Sequence, residues 1–240
     1  MNFKMFHNEL KEKMLDINIE LTDEQIKKFY DYMLLLLEWN EKINLTAITD
    51  EHEIILKHFV DSVSINKYIE NDKKVLDIGT GAGFPGIPLK IINEELEITL
   101  VDSLNKRINF LNEVINKLKL NKVETIHARA EELAKNKKYR ENYDIAVSRA
   151  VAPLNVLLEY TIPFIKVDGK LISMKGSNAD EELKVGKRAI EVLGGTFKNI
   201  EPINLPGIDD KRNIIIIDKV KETPKQYPRK AGTPSKRPIV

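Results

Sequence analysis

Residues 74–86 of the chain read KVLDIGTGAGFPG, an apolar run that contains an acid and continues into alternate glycines. Residues 75–78 have the composition of a buried parallel strand. Gly79, Gly81 and Gly83 allow the backbone to turn tightly and to approach a ligand closely. A helix that begins after this loop would direct its N-terminus towards the same ligand. The stretch therefore predicts a strand, a loop and a helix of an α/β domain, with Asp77 and the glycines at a ligand site.

A second acid follows at the end of the next predicted strand, residues 97–101. Asp102 lies about 20 residues beyond the glycine loop, a spacing at which an acid accepts hydrogen bonds from both hydroxyls of a ribose. A strand-end acid that caps the following helix is the alternative interpretation. The combination of loop and acid predicts a nucleoside-containing cofactor.

The spacing of the glycines indicates which kind of cofactor is bound. Dinucleotide-binding proteins follow G-x-G-x-x-G, and here Phe84 occupies the position of the third glycine of that pattern. A bulky side chain there would obstruct close packing over a pyrophosphate. The form D-x-G-x-G-x-G is instead similar to motif I of class I S-adenosylmethionine-dependent methyltransferases, whose cofactor has no phosphate. A glycine-rich turn in another kind of α/β protein remains an alternative at this point.

Composition restricts the class of protein. The chain has 240 residues, of which 42% are hydrophobic and 31% charged, as expected for a globular α/β domain with an appendage. It contains no cysteine, which excludes disulfides, thiolate metal sites and cysteine nucleophiles. The four histidines are dispersed, so we expect no metal site. The first 13 residues lack a signal-peptide core and residues 33–37 are too short to span a bilayer, so we expect a cytoplasmic protein without membrane contact.

Basic residues are concentrated at the C-terminal end, although the formal net charge is only +1. Residues 221–240 hold six basic residues and one acid, together with four prolines. Such a tail is expected to be extended and suited to nucleic-acid phosphates. Composition alone allows a solvated, disordered tail equally well. The residues predicted to bind RNA are Arg229, Lys230, Lys236 and Arg237.

The pattern of apolar residues divides the chain into three parts. We predict an N-terminal helical extension over 1–70, a cofactor-binding domain over 71–221 and a basic, proline-rich tail over 222–240. The first part holds predicted helices at 2–17, 22–42 and 50–69, the second of which starts with a capping box at Thr22 and Gln25. The second part alternates strands and helices and ends in a hairpin, which predicts a mostly parallel seven-stranded sheet. Predicted strands are 74–78, 97–101, 123–127, 143–148, 169–175, 196–204 and 212–220, and predicted helices between them are 86–93, 105–119, 130–136, 153–165 and 180–194.

Several motifs together resemble one family over nearly the whole chain. They are W-N-x-x-x-N-L-T at 39–46, K-H-F-V-D-S at 57–62, G-F-P-G-I-P at 83–88, V-D-S at 101–103, S-R-A at 148–150 and Y-P-R-K-A-G-T-P at 227–234. The chain resembles the RsmG family, also called GidB, of bacterial 16S rRNA guanine-N7 methyltransferases. Val60 departs from the aromatic residue common in that family. The resemblance implies a Rossmann-like class I methyltransferase fold with an N-terminal helical extension, S-adenosyl-L-methionine as cofactor, and 16S rRNA or an assembling small ribosomal subunit as partner.

The resemblance also implies roles for single residues. Asp77 and the three glycines would form the part of the site that holds the methionine side of the cofactor. Asp102 would bind the ribose, and Ser103 beside it would be a further cofactor contact. Further cofactor contacts would be Phe84 after the loop, Ala130 and Glu131 beside the adenine, and Arg149 at the end of the fourth strand. Phe84 as a core aromatic and Glu131 as part of a helix N-terminus are the structural alternatives. For His58 and Asp61 a buried hydrogen-bond network is favoured over a place in a pocket.

Two other functions are weighed against methyl transfer. A nicotinamide-dependent oxidoreductase would need the third glycine of its motif, which is absent here. The sequence also shows no convincing acid to assist hydride transfer. A non-catalytic RNA-binding assembly factor on a methyltransferase fold is the closer alternative. Guanine N7 carries a free lone pair, so methylation needs no general base and the sequence names no catalytic residue. We expect a monomer.

Overall fold

The computed structural model describes residues 1–205, 207 and 211–240. A seven-stranded sheet with the order β3-β2-β1-β4-β5-β7-β6 forms its centre, and only β7 runs antiparallel to its neighbours. This confirms the predicted mostly parallel sheet. The strands are β1 (Lys74–Ile78), β2 (Glu97–Asp102), β3 (Val123–His127), β4 (Tyr143–Arg149), β5 (Ile165–Lys175), β6 (Gly195–Ile203) and β7 (Arg212–Lys219). The predicted hairpin loop at Pro206-Gly207 falls partly outside the described residues.

Helices cover the two faces of the sheet and form the N-terminal extension. They are α1 (Phe3–Leu15), α2 (Asp23–Ile43), α3 (Glu51–Glu53, Ile54–Val60 and Asp61–Val63 in succession), α4 (Gly86–Ile92), α5 (Asn105–Leu118), α6 (Ala130–Leu133), α7 (Leu154–Thr161), α8 (Ala179–Leu193) and α9 (Thr233–Lys236). Short 3-10 turns follow α3 at Asn66–Tyr68 and α7 at Ile162–Phe164. None of the helices in the described chain combines the length and the apolar character that a bilayer span requires.

The predicted helix 50–69 is not one regular helix. Its middle section, Ile54–Val60, is a π-helix, and the last predicted turns are a separate 3-10 turn. The wider turn frees the carbonyl oxygen of Lys57, which accepts a hydrogen bond from Arg149 of β4 at 2.9 Å. Such π-helical insertions are common at functional sites, where a helix must present a group to another element.

The helical extension and the sheet share one hydrophobic core. Phe29 and Phe59 pack at 5.0 Å, and Phe59 in turn lies 5.5 Å from Tyr32. Tyr32 is fully buried and its hydroxyl donates to the carbonyl of Ala82 in the glycine loop. The capping box of Thr22 and Gln25 is confirmed, and the Gln25 side chain also donates to the carbonyls at the end of α4. The extension is therefore packed directly on the elements that hold the glycine loop.

The C-terminal segment, which we expected to be extended, folds back onto the domain. Pro228, Pro234 and Ile239 are buried, and Thr233–Lys236 form a helical turn with proline near its start. Proline is well tolerated there because the first amides of a helix have no intrahelical partner. Buried apolar side chains and the ion pair of Arg229 with Glu159 hold the segment in place, in contrast to the extended tail that composition suggested.

Candidate active site

The glycine loop connects β1 to α4 and has its three predicted glycines at positive φ. Gly81 has φ +61°, and no described atom lies within 4 Å of the position that a Cβ would take. A Cβ on Gly79, at φ +68°, would come within 2.6 Å of Val151. A Cβ on Gly83 would meet Ile87 at 2.7 Å and the Tyr32 hydroxyl at 2.8 Å. Gly81 thus faces open space as a ligand-binding loop requires, whereas Gly83 faces the packed helices.

Asp77 steadies this loop from below. Its Oδ2 accepts hydrogen bonds from the Thr80 hydroxyl at 2.7 Å and from the Gly86 amide at 2.9 Å. Its Oδ1 is buried and has no hydrogen-bond partner among the described residues. Burial raises the pKa of the Asp77 carboxyl to about 6, against the opposing effect of the two hydrogen bonds. The carboxyl therefore keeps one acceptor free beside the loop.

Asp102 ends β2 next to the end of β1, which brings the predicted ribose acid to the loop. Its Oδ2 accepts from the Gly81 amide at 3.0 Å and from Arg107 at 3.1 Å, and its Oδ1 accepts from the Leu104 amide at 2.9 Å. A carboxylate offers about four lone-pair positions. The carboxylate thus holds both the glycine loop and the backbone just before α5. If the partly exposed Arg107 moved away, a further acceptor position would become free for a ribose hydroxyl.

A cleft of about 200 Å³ opens at this end of β1 and β2. Five of the predicted cofactor residues line it: Gly79, Asp102, Ser103, Ala130 and Glu131. Tyr160 and Val151 complete its wall and were not predicted from the sequence, because no local motif marks a residue that reaches a cleft from another element. The other predicted cofactor residues, Asp77, Gly81, Gly83, Phe84 and Arg149, lie behind or beside this wall.

Phe84 and Arg149 belong to a network that joins the loop to α3. The Phe84 ring stacks on His58 at 4.4 Å and lies 4.9 Å below the Arg149 guanidinium. Arg149 donates to Asp61 at 2.8 Å and to Nδ1 of His58 at 3.2 Å. Because arginine only donates, Nδ1 is the acceptor and Nε2–H donates to the Thr46 hydroxyl at 2.9 Å. His58 and Asp61 therefore form the hydrogen-bond network that was favoured, and both also line a cleft of their own on this side of the loop.

Burial and the neighbouring guanidinium keep His58 uncharged. They lower the pKa of its imidazole to about 3, and burial is the larger cause. A neutral ring can accept from Arg149 and stack on Phe84 without repelling the guanidinium. The network thus fixes the glycine loop against the helical extension.

A second, larger cleft of about 580 Å³ adjoins the first at Val151. Four basic residues line it, together with the acids Asp61 and Glu182: Lys57, Arg149, Lys175 and Arg212. Lys175 is nearly buried, and its ammonium donates to the carbonyl of Ala152 at 2.6 Å and to Glu182 at 2.7 Å. Lys57 and Arg212 were not predicted from the sequence, since isolated basic residues carry no motif.

The C-terminal segment contacts the small cleft from outside. The Gly232 amide donates to Glu131 at 2.8 Å, and Arg229 pairs with Glu159 at 2.7 Å. The tail that was expected to be extended is therefore held against the domain by these two buried acids. Lys230, Lys236 and Arg237 are exposed, and their contact with RNA stays a prediction.

The residues of the small cleft suit a nucleoside cofactor. Asp102 lines the cleft, and in the loop beside it the Cβ direction of Gly81 is open and the buried Asp77 carboxyl keeps an unpartnered oxygen. In the described ranges, no three His, Asp or Glu side chains are grouped as metal ligands. The strand-end acid and the open glycine loop are the features that the sequence associates with a nucleoside-containing cofactor.

Comparison with known proteins agrees with this geometry. The family model for rRNA small subunit methyltransferase G, GidB, matches residues 25–215. The chain is 52% identical over 238 residues to Ribosomal RNA small subunit methyltransferase G of Clostridium perfringens, covering 98% of this chain and 100% of that protein. It is 56% identical over 222 residues to the protein of that name from Acetivibrio thermocellus, covering 92% and 91%.

The fold is also found among solved structures. A SAM-dependent methyltransferase from Aquifex aeolicus superposes with a TM-score of 0.55 at 18% identity, covering 72% of this chain and 96% of that one. At that identity the likeness shows the Rossmann-like methyltransferase fold alone. The full-length relatives show more, and the chain belongs to the rRNA small subunit methyltransferase G family.

Proposed function

We propose that the chain is an S-adenosylmethionine-dependent methyltransferase that modifies N7 of a guanosine in 16S rRNA. The observation that carries the proposal is the junction of the two clefts at Val151. A narrow cleft with a strand-end acid adjoins a wider cleft that several basic side chains line. The narrow cleft could therefore hold a cofactor next to a nucleic-acid base in the wider one. Family membership supports the rRNA substrate, and that substrate favours a cytoplasmic enzyme.

The residues of the small cleft and of the glycine loop beside it each have a proposed role in binding the cofactor. When bound, S-adenosylmethionine supplies an electrophilic methyl group. Asp102 would accept from the ribose, the backbone at Ala130 would face the adenine, and the loop at Gly81 would admit the methionine part. Asp77, which is fully buried, would hold that loop in place through Thr80 and Gly86.

The larger cleft would hold the guanosine. Its four basic residues, Lys57, Arg149, Lys175 and Arg212, outnumber its two acids, Asp61 and Glu182, and this excess of positive charge suits RNA phosphates. Guanine N7 needs no general base, so the rate would come from alignment of the base with the methyl group. The fixed Arg149–Asp61 pair and the stacked His58 favour such a rigid arrangement.

Asp102 is the residue proposed to bind the ribose of the cofactor. Asp102→Ala should weaken S-adenosylhomocysteine binding by about 1.5–3 kcal/mol, since a charge-assisted hydrogen bond to the ribose is lost. Isothermal titration calorimetry measures the change. Glu97→Ala removes an exposed acid from the opposite end of the same strand and serves as the control. Equal affinities for both variants would show that Asp102 only holds the backbone at Gly81 and Leu104.

The modified nucleotide is tested in cells. Mass-spectrometric mapping of 16S rRNA should find one 7-methylguanosine that disappears with deletion of the gene and returns with the wild-type gene. A non-catalytic assembly factor would leave the modification pattern unchanged while altering subunit assembly. The family of the chain does not favour this alternative.

The second prediction concerns the exposed cations of the C-terminal segment. Replacement of Lys230, Lys236 and Arg237 by Ser should flatten the slope of log affinity against log salt for rRNA by up to roughly 0.7 per phosphate contact. Cofactor affinity should not change, because these side chains are exposed and are not among the residues that line either cleft. Filter binding across a salt series measures the slope, and parallel slopes for variant and wild type would remove these three residues from the RNA interface.

A further inference from the structure

The C-terminal segment is attached to α7 by a buried ion pair. Both the backbone amide and the guanidinium of Arg229 donate to Glu159, at distances of 2.6 to 3.1 Å. Glu159 is completely buried. A buried carboxylate is stable only when it is paired and hydrogen-bonded. The position of Arg229 is therefore coupled to the packing of α7.

A second attachment reaches the wall of the small cleft. The Gly232 amide donates to Oε1 of Glu131 at 2.8 Å, and Glu131 lines that cleft while only 5% exposed. Gly232 has φ +79°, which turns its amide towards α6. Tyr160, which lines the same cleft, follows Glu159 directly in α7.

The start of the segment is fixed as well. Arg140 donates to the carbonyls of Thr223 and Tyr227, both at 2.8 Å. The segment is thus held at its start, at Arg229 and at Gly232, and two of the residues that it holds or adjoins, Glu131 and Tyr160, are walls of the cleft. No residue of the segment itself is among those that line the cleft.

We propose that residues 222–240 act as a strap that positions the adenine side of the cofactor cleft, with Arg229 and Gly232 as positioning residues. This inference rests on the proposed cofactor. The strap sets Glu131 and Tyr160 in place, so cofactor affinity depends on the ion pair of Arg229 with Glu159 at a distance from the ligand. By linkage, cofactor binding must in turn stabilise the strap.

The first experiment removes the ion pair. Arg229→Met, Glu159→Gln and the double variant are compared with Lys225→Met, which removes the same charge from an exposed position of the segment. The double variant leaves no unpaired buried charge, so it stays folded even where Arg229→Met alone does not. Calorimetry with S-adenosylhomocysteine should give a Kd about tenfold higher for the double variant and an unchanged Kd for the control.

A shorter ligand locates the effect. 5′-Methylthioadenosine lacks the amino-acid part, so it reports on the adenosine side alone. The double variant should weaken its binding by the same factor as that of S-adenosylhomocysteine. A folded double variant with the affinity of the control for both ligands would overturn the strap, and so would a loss for S-adenosylhomocysteine alone.

The second experiment uses the wild-type chain and does not depend on the folding of any variant. In hydrogen–deuterium exchange, S-adenosylhomocysteine should slow exchange in residues 228–236 as well as in residues 101–104 and 128–131. Protection of the cleft peptides without protection of 228–236 would overturn the strap. Protection of neither would instead contradict the proposed cofactor, which keeps the two failures apart.

Discussion

Gly81→Val should abolish methylation while the chain remains folded. Gly81 has φ +61° and no described atom within 4 Å of its Cβ position, so an added side chain would extend into the space in which the methionine part is proposed to lie. Displacement of the cofactor by even 1 Å costs roughly a hundredfold in rate, and a branched side chain displaces it further. We therefore expect methyl transfer to fall by at least about a hundredfold. The torsional strain of a left-handed valine adds about 1–2 kcal/mol of destabilisation.

Transfer of tritium from labelled S-adenosylmethionine to rRNA measures the activity, and circular dichroism verifies folding. Gly207→Val is the control, because Gly207 has φ +80° in an exposed turn and carries the same torsional strain. Gly81→Ala should give an intermediate loss, since it adds one carbon to the same space. Full activity in folded Gly81→Val would remove the loop from the cofactor site.

The fold was predictable because its elements are local patterns. The buried run 75–78, the alternate glycines and the strand-end acid Asp102 each have a spacing that few other structures use. Parallel strands with intervening helices then leave few topologies, and the antiparallel insertion of β7 between β5 and β6 follows the predicted hairpin. Strand ends differed by a few residues where bulges or 3-10 turns intervene, as at the start of β5.

The contacts of the site were less predictable because they join residues far apart in the sequence. Arg149 is held by α3, about 90 residues earlier, through a π-helical turn that has no sequence signature here. The pairing of Arg229 with Glu159 likewise depends on the burial of one glutamate of α7, which the composition of a basic tail does not reveal. Local charge indicated that the basic side chains contact solvent or RNA. In the structure, Arg229 instead pairs with Glu159, a buried acid far away in the sequence.

Asp77 and His58 should give the protein opposite responses to pH that cancel in the wild type. Burial raises the pKa of Asp77 from 3.8 to about 6, so its contribution to stability is complete below pH 4 and is lost as pH rises through 6. Burial and Arg149 lower the pKa of His58 from 6.5 to about 3, so its contribution is complete above pH 6.5 and is lost as pH falls towards 3. Between pH 4 and 6 the two slopes oppose each other.

Single substitutions should separate these slopes. Asp77→Asn leaves the acceptor for Thr80 and Gly86 but removes the titration, so relative to wild type its free energy of unfolding should fall by about 2 kcal/mol between pH 6 and pH 4. His58→Gln keeps an acceptor for Arg149 and a donor for Thr46, and its free energy of unfolding should rise by a similar amount over the same interval.

Urea denaturation at pH 4, 5, 6 and 7 measures these differences, with Asp180→Asn as a control for the loss of an exposed acid. Subtraction of the wild-type curve removes the titration of all other groups, provided that the two substitutions leave the fold intact. Because the double variant removes both opposed titrations, its curve should run parallel to that of the wild type between pH 4 and 6. A flat difference curve for Asp77→Asn would mean that its carboxyl titrates alike in the folded and unfolded chain, and the unpartnered buried oxygen beside the loop would then have to be hydrated.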